Sequence, residues 1–204
     1  MKKHDVVQRS PEWHFLRKGK ITGTTLKSLM GTPKARQEAK FELIAERLSV
    51  GVDGDSYENA MDRGTRLEPE AIAMFELQTG KQVTSVGFIE DSENGSMGQS
   101  PDGMIGDEEA LEVKCPMGKN YVKIWLENKI PDEYHWQIVQ LFVLVSELKK
   151  VYFVAYNPDI PSHRMHIIEV VREELTEDIA KAREEQLKVI SEVNQVLKSI
   201  IKPI

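Results

Sequence analysis

A single cysteine, Cys115, in a chain of 204 residues leaves nothing to build an internal disulfide framework or a four-cysteine zinc or iron–sulfur centre. Cys115 is read instead as a small buried hydrophobe. Long apolar runs are missing too. The longest, residues 138–145, is interrupted by Gln140 and falls far short of a bilayer span, and Met1-Lys2-Lys3-His4-Asp5 is followed by no apolar stretch, so a soluble, non-exported protein is expected. There is no internal repeat and no low-complexity segment. Nor is there a positive surplus: 27 Lys and Arg face 33 Asp and Glu, a net charge of −6, the wrong sign for a surface that wraps nucleic acid on all sides. The deficit is uneven. Residues 1–50 hold eleven Lys or Arg against five Asp or Glu, leaving sixteen against twenty-eight for the rest, so a polyanion is expected along the first fifty residues.

With 40% hydrophobic and 29% charged residues, the chain has enough apolar material for one well-buried core. Its chemistry concentrates in Ser100-Pro101-Asp102-Gly103 and Leu111-Glu112-Val113-Lys114-Cys115-Pro116. The second segment reads as a buried strand, whose alternation puts Glu112 and Lys114 on one face and Leu111, Val113 and Cys115 on the other. Gly103, Gly106 and the polar run 107–109 supply a hairpin turn that returns Glu112 toward Asp102. Two facing acids repel unless a cation sits between them, and hard oxygen ligands of this kind suit Mg²⁺ or Mn²⁺, which activate water and polarise phosphoryl oxygens. The spacing of acid and lysine is common by itself. It recurs at Glu38/Lys40, Glu127/Lys129 and Glu147/Lys149, but those copies fall in segments that read as solvated helix or helix ends, and only the pair at Glu112 lies in an apolar stretch behind an Asp-Gly turn.

Ser10 as N-cap and Pro11 at the first helical position predict a helix to about Lys18. A second short helix is expected from Thr22 to Met30. A basic loop at 33–36 then leads into a third with Phe41, Ile44, Ala45 and Leu48 on one face. Residues 51–60 read as a Gly/Asp/Ser loop, and 63–79 as a helix with Pro69 in its first turn and Gly80 as C-cap. Strands are expected at 83–89, 98–100 with 103–105, 111–114, 151–156 and 163–171, and helices at 121–129 and 135–147. Residues 176–200 form an amphipathic helix with Ile179, Leu187, Ile190, Val193, Val196, Leu197 and Ile200 inward. This order predicts an α/β (α+β) sandwich with a central mixed β-sheet flanked by helices.

Several ordered segments resemble the phage lambda-type (viral recombination) exonuclease family of the PD-(D/E)XK nuclease superfamily. They are Trp13-His14 with Arg17, Gly19 and Ile21-Thr22; Gly64-Thr65 with Leu67-Glu68 and Ala71; the two segments around Asp102 and Glu112; Gln137 with Gln140; and 151–158. The resemblance implies that Asp102, Glu112 and the Val113 carbonyl hold Mg²⁺, with Mn²⁺ able to substitute, and that Glu68 serves a second ion or its waters. Lys114 would position or deprotonate the attacking water, and Gln137 would reach the scissile phosphate. Arg17, Thr24 and Ser100 would grip a 5′-phosphate, and Lys34 would track the duplex. Thr24 replaces a serine and Lys34 an arginine, which loosens the phosphate preference and the grip respectively. Without the resemblance, Glu68 beside Pro69 reads as an acid at the positive end of a helix, Arg17 as a solvated cation and Ser100 as a turn residue.

The implied activity is a Mg²⁺-dependent 5′-to-3′ exonuclease on double-stranded DNA ends that releases mononucleotides and leaves a 3′ overhang for strand annealing. A homotrimeric ring, a single-strand annealing protein as partner and the cytoplasm of a bacterial host for a phage or prophage product follow from the same resemblance, with no membrane association. One nuclease domain over 1–204 is expected, with helices in 10–50 lining the DNA path, a catalytic core at 60–171 and a C-terminal helix at 175–200. A restriction- or repair-type endonuclease and a catalytically dead DNA-end scaffold are the alternatives.

Overall fold

Between Asp102 and Glu112 the chain makes the expected hairpin. Strand β4 (Gly103–Ile105) runs antiparallel to β5 (Glu109–Lys114), with Gly103 opposite Leu111 and Ile105 opposite Glu109. Gly106, at φ +62°, opens the turn, a backbone region that a side chain would strain. The computed structural model describes residues 1–48, 59–93 and 95–200. On its other edge β5 pairs in parallel with β6 (Lys150–Tyr156), which pairs antiparallel with β7 (Met165–Val171), so the sheet is mixed, as expected.

A second, three-stranded antiparallel sheet joins β1 (Lys2–His4), β2 (Phe88–Glu90) and β3 (Gly98–Gln99). Strand β1 is too short and polar to announce itself, and it is held by pairing Lys3 with Ile89. Most of the strand expected at 83–89 is irregular. It bonds to the larger sheet at Thr84, whose N–H and C=O pair with Met104, and packs Val83 against Gly103.

Five helices follow their sequence signals, four of them with shifted ends. Ser10 caps α1 (Pro11–Arg17) by accepting the Trp13 N–H, and α2 (Gly23–Leu29) ends at Met30. α5 (Gly118–Glu127) and α6 (Asp132–Leu144) each begin about three residues early, α6 because Pro131 stands at its cap and Asp132 and Glu133 suit its positive end. α7 (Thr176–Ile200) has the expected bounds. Its buried stripe is kept in part: Ile190 and Val193 are buried and Ile179 and Leu197 pack against the core as expected, but Ala182, Gln186 and Val189 join them, while Leu187, Val196 and Ile200 are exposed.

Two helices depart further. The basic segment 33–36 is the first turn of α3 (Pro33–Leu48), not a loop, because Thr32 accepts the Ala35 N–H and Pro33 occupies a position where its missing donor costs nothing. The buried face of α3 runs through Ala39 and Leu43, and Phe41 is exposed. α4 (Asn59–Thr79) starts before residue 63, so Pro69 sits inside it. The apolar stripe Leu67, Ala71 and Phe75 continues across that proline, and its burial outweighs the lost backbone bond. Gly80 ends the helix at φ +71°, as expected. The loop expected at 51–60 lies, up to residue 58, outside the described residues, as do the side chains of Ala45 and Leu48.

The larger sheet is covered on both faces. Leu111, Val113, Tyr152, Val154 and Tyr156 pack on the α4 stripe. The opposite face, with Ala110, Phe153 and Ala155, packs in the core that contains α2, α6 and α7. Glu112 takes a polar turn in that second face, between positions that are otherwise apolar. No helix among the described residues is long and apolar enough to cross a membrane.

Candidate active site

Strand alternation delivers Glu112 and Lys114 to one place: Lys114 Nζ donates to Glu112 Oε1 at 2.6 Å. Glu112 is only 4% exposed, and its Oε2 is buried with no hydrogen-bond partner. Such an oxygen is costly to leave bare. Asp102, at the head of β4, is pinned to the same strand, accepting the Val113 N–H on Oδ2 at 2.7 Å while its own N–H donates to the Leu111 carbonyl at 3.1 Å. Glu68 reaches the group from α4 and lies 3.6 Å from Arg9 Nη2.

These charges act on one another. Burial pushes the Glu112 carboxyl up to about 7 against the pull of Lys114, with Asp102 and Glu68 adding to the rise. Asp102 is raised by burial, opposed by Lys114 and the Val113 N–H. Glu68 is raised by burial and then by Asp102, with Arg9 and Lys114 opposing. Burial would lower the Lys114 pKa, but Glu112 and Asp102 outweigh it and hold the ammonium above the usual lysine range. Three acids crowded around one lysine make a site that gains from more positive charge. No three His, Cys, Asp or Glu side chains close into a ready-made metal cage among the described residues. The donors on offer are hard oxygens, and the partnerless Glu112 Oε2 is the one a divalent cation of the Mg²⁺ or Mn²⁺ type fits.

Glu68 does not sit at a helix N-terminus, since α4 begins nine residues before it. The reading of Glu68 as a dipole partner therefore falls. Ser100 is a latch: its hydroxyl donates to the Gly87 carbonyl at 2.7 Å and accepts the Trp13 indole N–H at 2.6 Å, which commits its only proton inside the protein. Arg17 is no solvated cation. Its guanidinium lies 4.3 Å over the Trp13 ring, and burial lowers its pKa to about 10 against the pull of Glu46. Thr24 is exposed on the first turn of α2, and Lys34 is exposed on the first turn of α3.

Gln137 is tied to α2 through Gln99, which accepts the Gly23 N–H at 2.7 Å and donates to the Gln137 carbonyl at 3.1 Å. The Gln137 Oε1 is buried and partnerless. This bridge leaves no room at Gly23, where a Cβ would lie 2.3 Å from Gln99 Oε1 and 2.9 Å from Gln137 Cα. Gly23→Ala is expected to lower the melting temperature by about 3–10 °C, the scale of overpacking in a domain of this size. Adding Gln99→Ala is expected to restore part of it, which a double-mutant cycle by thermal unfolding measures.

Two neighbours escaped the sequence reading. Tyr134 places its ring 5.3 Å from Lys114 Nζ, and it could have been found one helical turn before Gln137 in an apolar helix. Arg9 has no periodic signal at all. Cys115 is half-buried and not fully buried as expected, and burial pushes its thiol up to about 11, which disfavours the reactive thiolate.

Comparisons with known proteins follow the same lines. Residues 12–148 match the YqaJ-like viral recombinase domain. Among solved structures, the chain is similar to an alkaline exonuclease (LHK-Exo) from Laribacter hongkongensis, with 29% identity and a TM-score of 0.80 over 94% of this chain and 98% of that one. The same exonuclease in complex with dAMP matches at 28% identity with an equal TM-score and coverage. A phage-related exonuclease from Haemophilus somnus 129PT shares the fold, at 15% identity and a TM-score of 0.60 over 92% of this chain and 99% of that one. No curated protein matches. The match spans α1 to α6 and includes Asp102, Glu112 and Lys114, so the chain belongs to the YqaJ-like viral recombinase family, with the mixed-sheet fold of the lambda-type alkaline exonucleases.

Proposed function

We propose that the protein is a divalent-metal-dependent exodeoxyribonuclease that degrades one strand of duplex DNA from its 5′ end, releasing mononucleotides and leaving a 3′ overhang for annealing-type recombination. The observation that carries this reading is the buried trio of Asp102, Glu112 and Lys114 with a Glu112 oxygen left partnerless, in a chain similar to an alkaline exonuclease that has been solved with a mononucleotide bound. Asp102, Glu112 and the Val113 carbonyl would hold Mg²⁺, with Mn²⁺ able to substitute, and Glu68 would serve a second ion. The bound ion supplies Lewis-acid polarisation of the phosphoryl oxygen and a water of lowered pKa.

This chain's own residues do the rest. Lys114, kept charged by its two carboxylates, holds the attacking water and offsets negative charge on the reacting phosphate, a positioning role that suits an ammonium better than proton removal does. Tyr134 limits where that ammonium can go. Arg17, stiffened on Trp13, and Thr24 at the opening of α2 are the donors offered to a terminal phosphate, while Ser100 fixes Trp13 beneath Arg17. Gln137 brings a buried amide toward the phosphate from α6.

The positive surplus of residues 1–50 is partly spent on the fold: Arg36 pairs with Glu185, and Lys40 with Glu192, both on α7. Lys27 and Lys34, exposed and without an ion pair among the described residues, are the cations we assign to the duplex backbone, so that the helices of 10–50 line its path beside a catalytic core at 60–171. A homotrimeric ring, a single-strand annealing partner and action in a bacterial cytoplasm complete the reading.

Linear duplexes with 5′-phosphate, 5′-hydroxyl or blocked ends, incubated with Mg²⁺, Ca²⁺ or EDTA, test it. Mononucleotides are expected from phosphorylated 5′ ends with Mg²⁺ only, and covalently closed circles are expected to survive. Internal fragments, or nicked circles, would mean an endonuclease.

A further inference from the structure

Arg9 adopts φ +68°, the left-handed region that an arginine occupies only at a cost in energy. The turn that carries it is stitched down on both sides of the active-site segment. Before it, Gln8 Nε2 donates to the Pro101 carbonyl at 3.0 Å, one residue ahead of Asp102. After it, Ser10 closes the turn on Val7 and caps α1, whose Trp13 bonds Ser100. This clamp aims the Arg9 side chain at the acids.

The contact it makes there is slight. One Nη lies 3.6 Å from Glu68 Oε2, and the side chain stays 41% exposed. A single, half-exposed ion pair returns less than a left-handed arginine costs. The other guanidinium donors stand beside a cluster of acids where, among the described residues, Lys114 is the other cation whose charge reaches Asp102. An arginine fork that is held open, strained and next to the reacting centre fits a planar anion with several oxygens.

We propose that Arg9 is a phosphate-binding residue of this site, its guanidinium leaving Glu68 to grip a backbone phosphodiester of the DNA strand presented to Asp102 and Glu112. The inference rests on the nuclease reading above. It accounts for the loose pair with Glu68, which holds the guanidinium near its target without satisfying it.

Arg9→Gly separates this role from a structural one, because glycine removes both the charge and the backbone strain. The variant is expected to keep or raise the melting temperature measured in EDTA. It should bind an end-labelled duplex in Ca²⁺ about tenfold more weakly than the native protein, with the slope of log affinity against log salt reduced by about one. Arg9→Lys, which keeps the charge and loses the fork, should fall between them. Unchanged affinity and slope in Arg9→Gly, while the native protein digests ends, would overturn the Arg9 proposal alone. A lower melting temperature accompanying weaker binding would overturn it too, since a structural clasp explains both. A native protein that neither binds nor digests duplex ends would overturn this inference and the proposed function together.

Discussion

Glu112→Gln is expected to lower Mg²⁺-dependent hydrolysis by roughly a thousandfold or more while leaving the metal-free protein as stable as the native one, or more so, at pH 8. The amide keeps the shape of the side chain and can still accept from Lys114, but it removes a charge that the fold buries at a loss. Asp102 stays beside Lys114, so the ammonium is not orphaned. The pH dependence follows from the raised carboxyl. Between its ordinary 4.5 and about 7, folded Glu112 retains a proton that the unfolded chain has released. Its stabilising contribution is therefore complete below about 4.5 and gone once the pH has risen through about 7. In EDTA the native protein should lose more unfolding free energy over that window than Glu112→Gln does, by an amount on the order of 3 kcal/mol, read as a larger fall in melting temperature. Mg²⁺ at pH 8 should raise the native melting temperature and leave the variant nearly unmoved, because a bound cation stabilises only the state that holds it. Scanning calorimetry with and without metal checks both parts. A variant that digests duplex ends at the native rate would remove Glu112 from the chemistry.

The face shared by Glu112 and Lys114 was legible because strand period is two and turn residues flank it, rules that need no tertiary information. The ends of α7 were legible for the same kind of reason, while its buried stripe was legible only in part, at Ile179, Ile190, Val193 and Leu197. Gln186 is buried there and Leu187 exposed, an inversion set by what α2, α3 and α6 offer across the interface. Pro69 misled because a proline is a start signal only where no apolar stripe precedes it, and the stripe it interrupts is what α4 buries. The 5′-phosphate group divides in two. Arg17 lies over Trp13 and Thr24 is exposed at the opening of α2, whereas the Ser100 hydroxyl is consumed by Gly87 and Trp13, a matter of long-range partners that no local pattern encodes. Arg9 was invisible for a deeper reason. Its φ is imposed by contacts of Gln8 and Trp13 with residues some ninety positions away, and nothing in residues 7–10 alone asks for a left-handed arginine.

Asp102 offers the sharpest separation of chemistry from architecture, since one of its oxygens serves the backbone. Asp102→Asn and Asp102→Ala are both expected to lose hydrolysis by roughly a thousandfold or more, because each removes an anionic oxygen from the proposed ion site. They should differ in stability. Asparagine can still accept the Val113 N–H, now met by Asp102 Oδ2 at 2.7 Å, and it relieves the burial that raises the native carboxyl, so its metal-free melting temperature should equal or exceed the native value. Alanine strands that N–H in a strand where Val113 is 6% exposed, which costs about 1–3 kcal/mol relative to asparagine. Binding to duplex ends in Ca²⁺ should persist in Asp102→Asn, since the proposed phosphate grip lies with Arg9, Arg17, Thr24 and the lysines of α2 and α3. Single-turnover digestion, end binding and thermal unfolding on the two variants resolve the parts. An Asp102→Asn protein that still digests ends would show that the nucleophile is activated elsewhere, whereas one that no longer binds them would show that Asp102 organises the DNA path and not only the reacting centre.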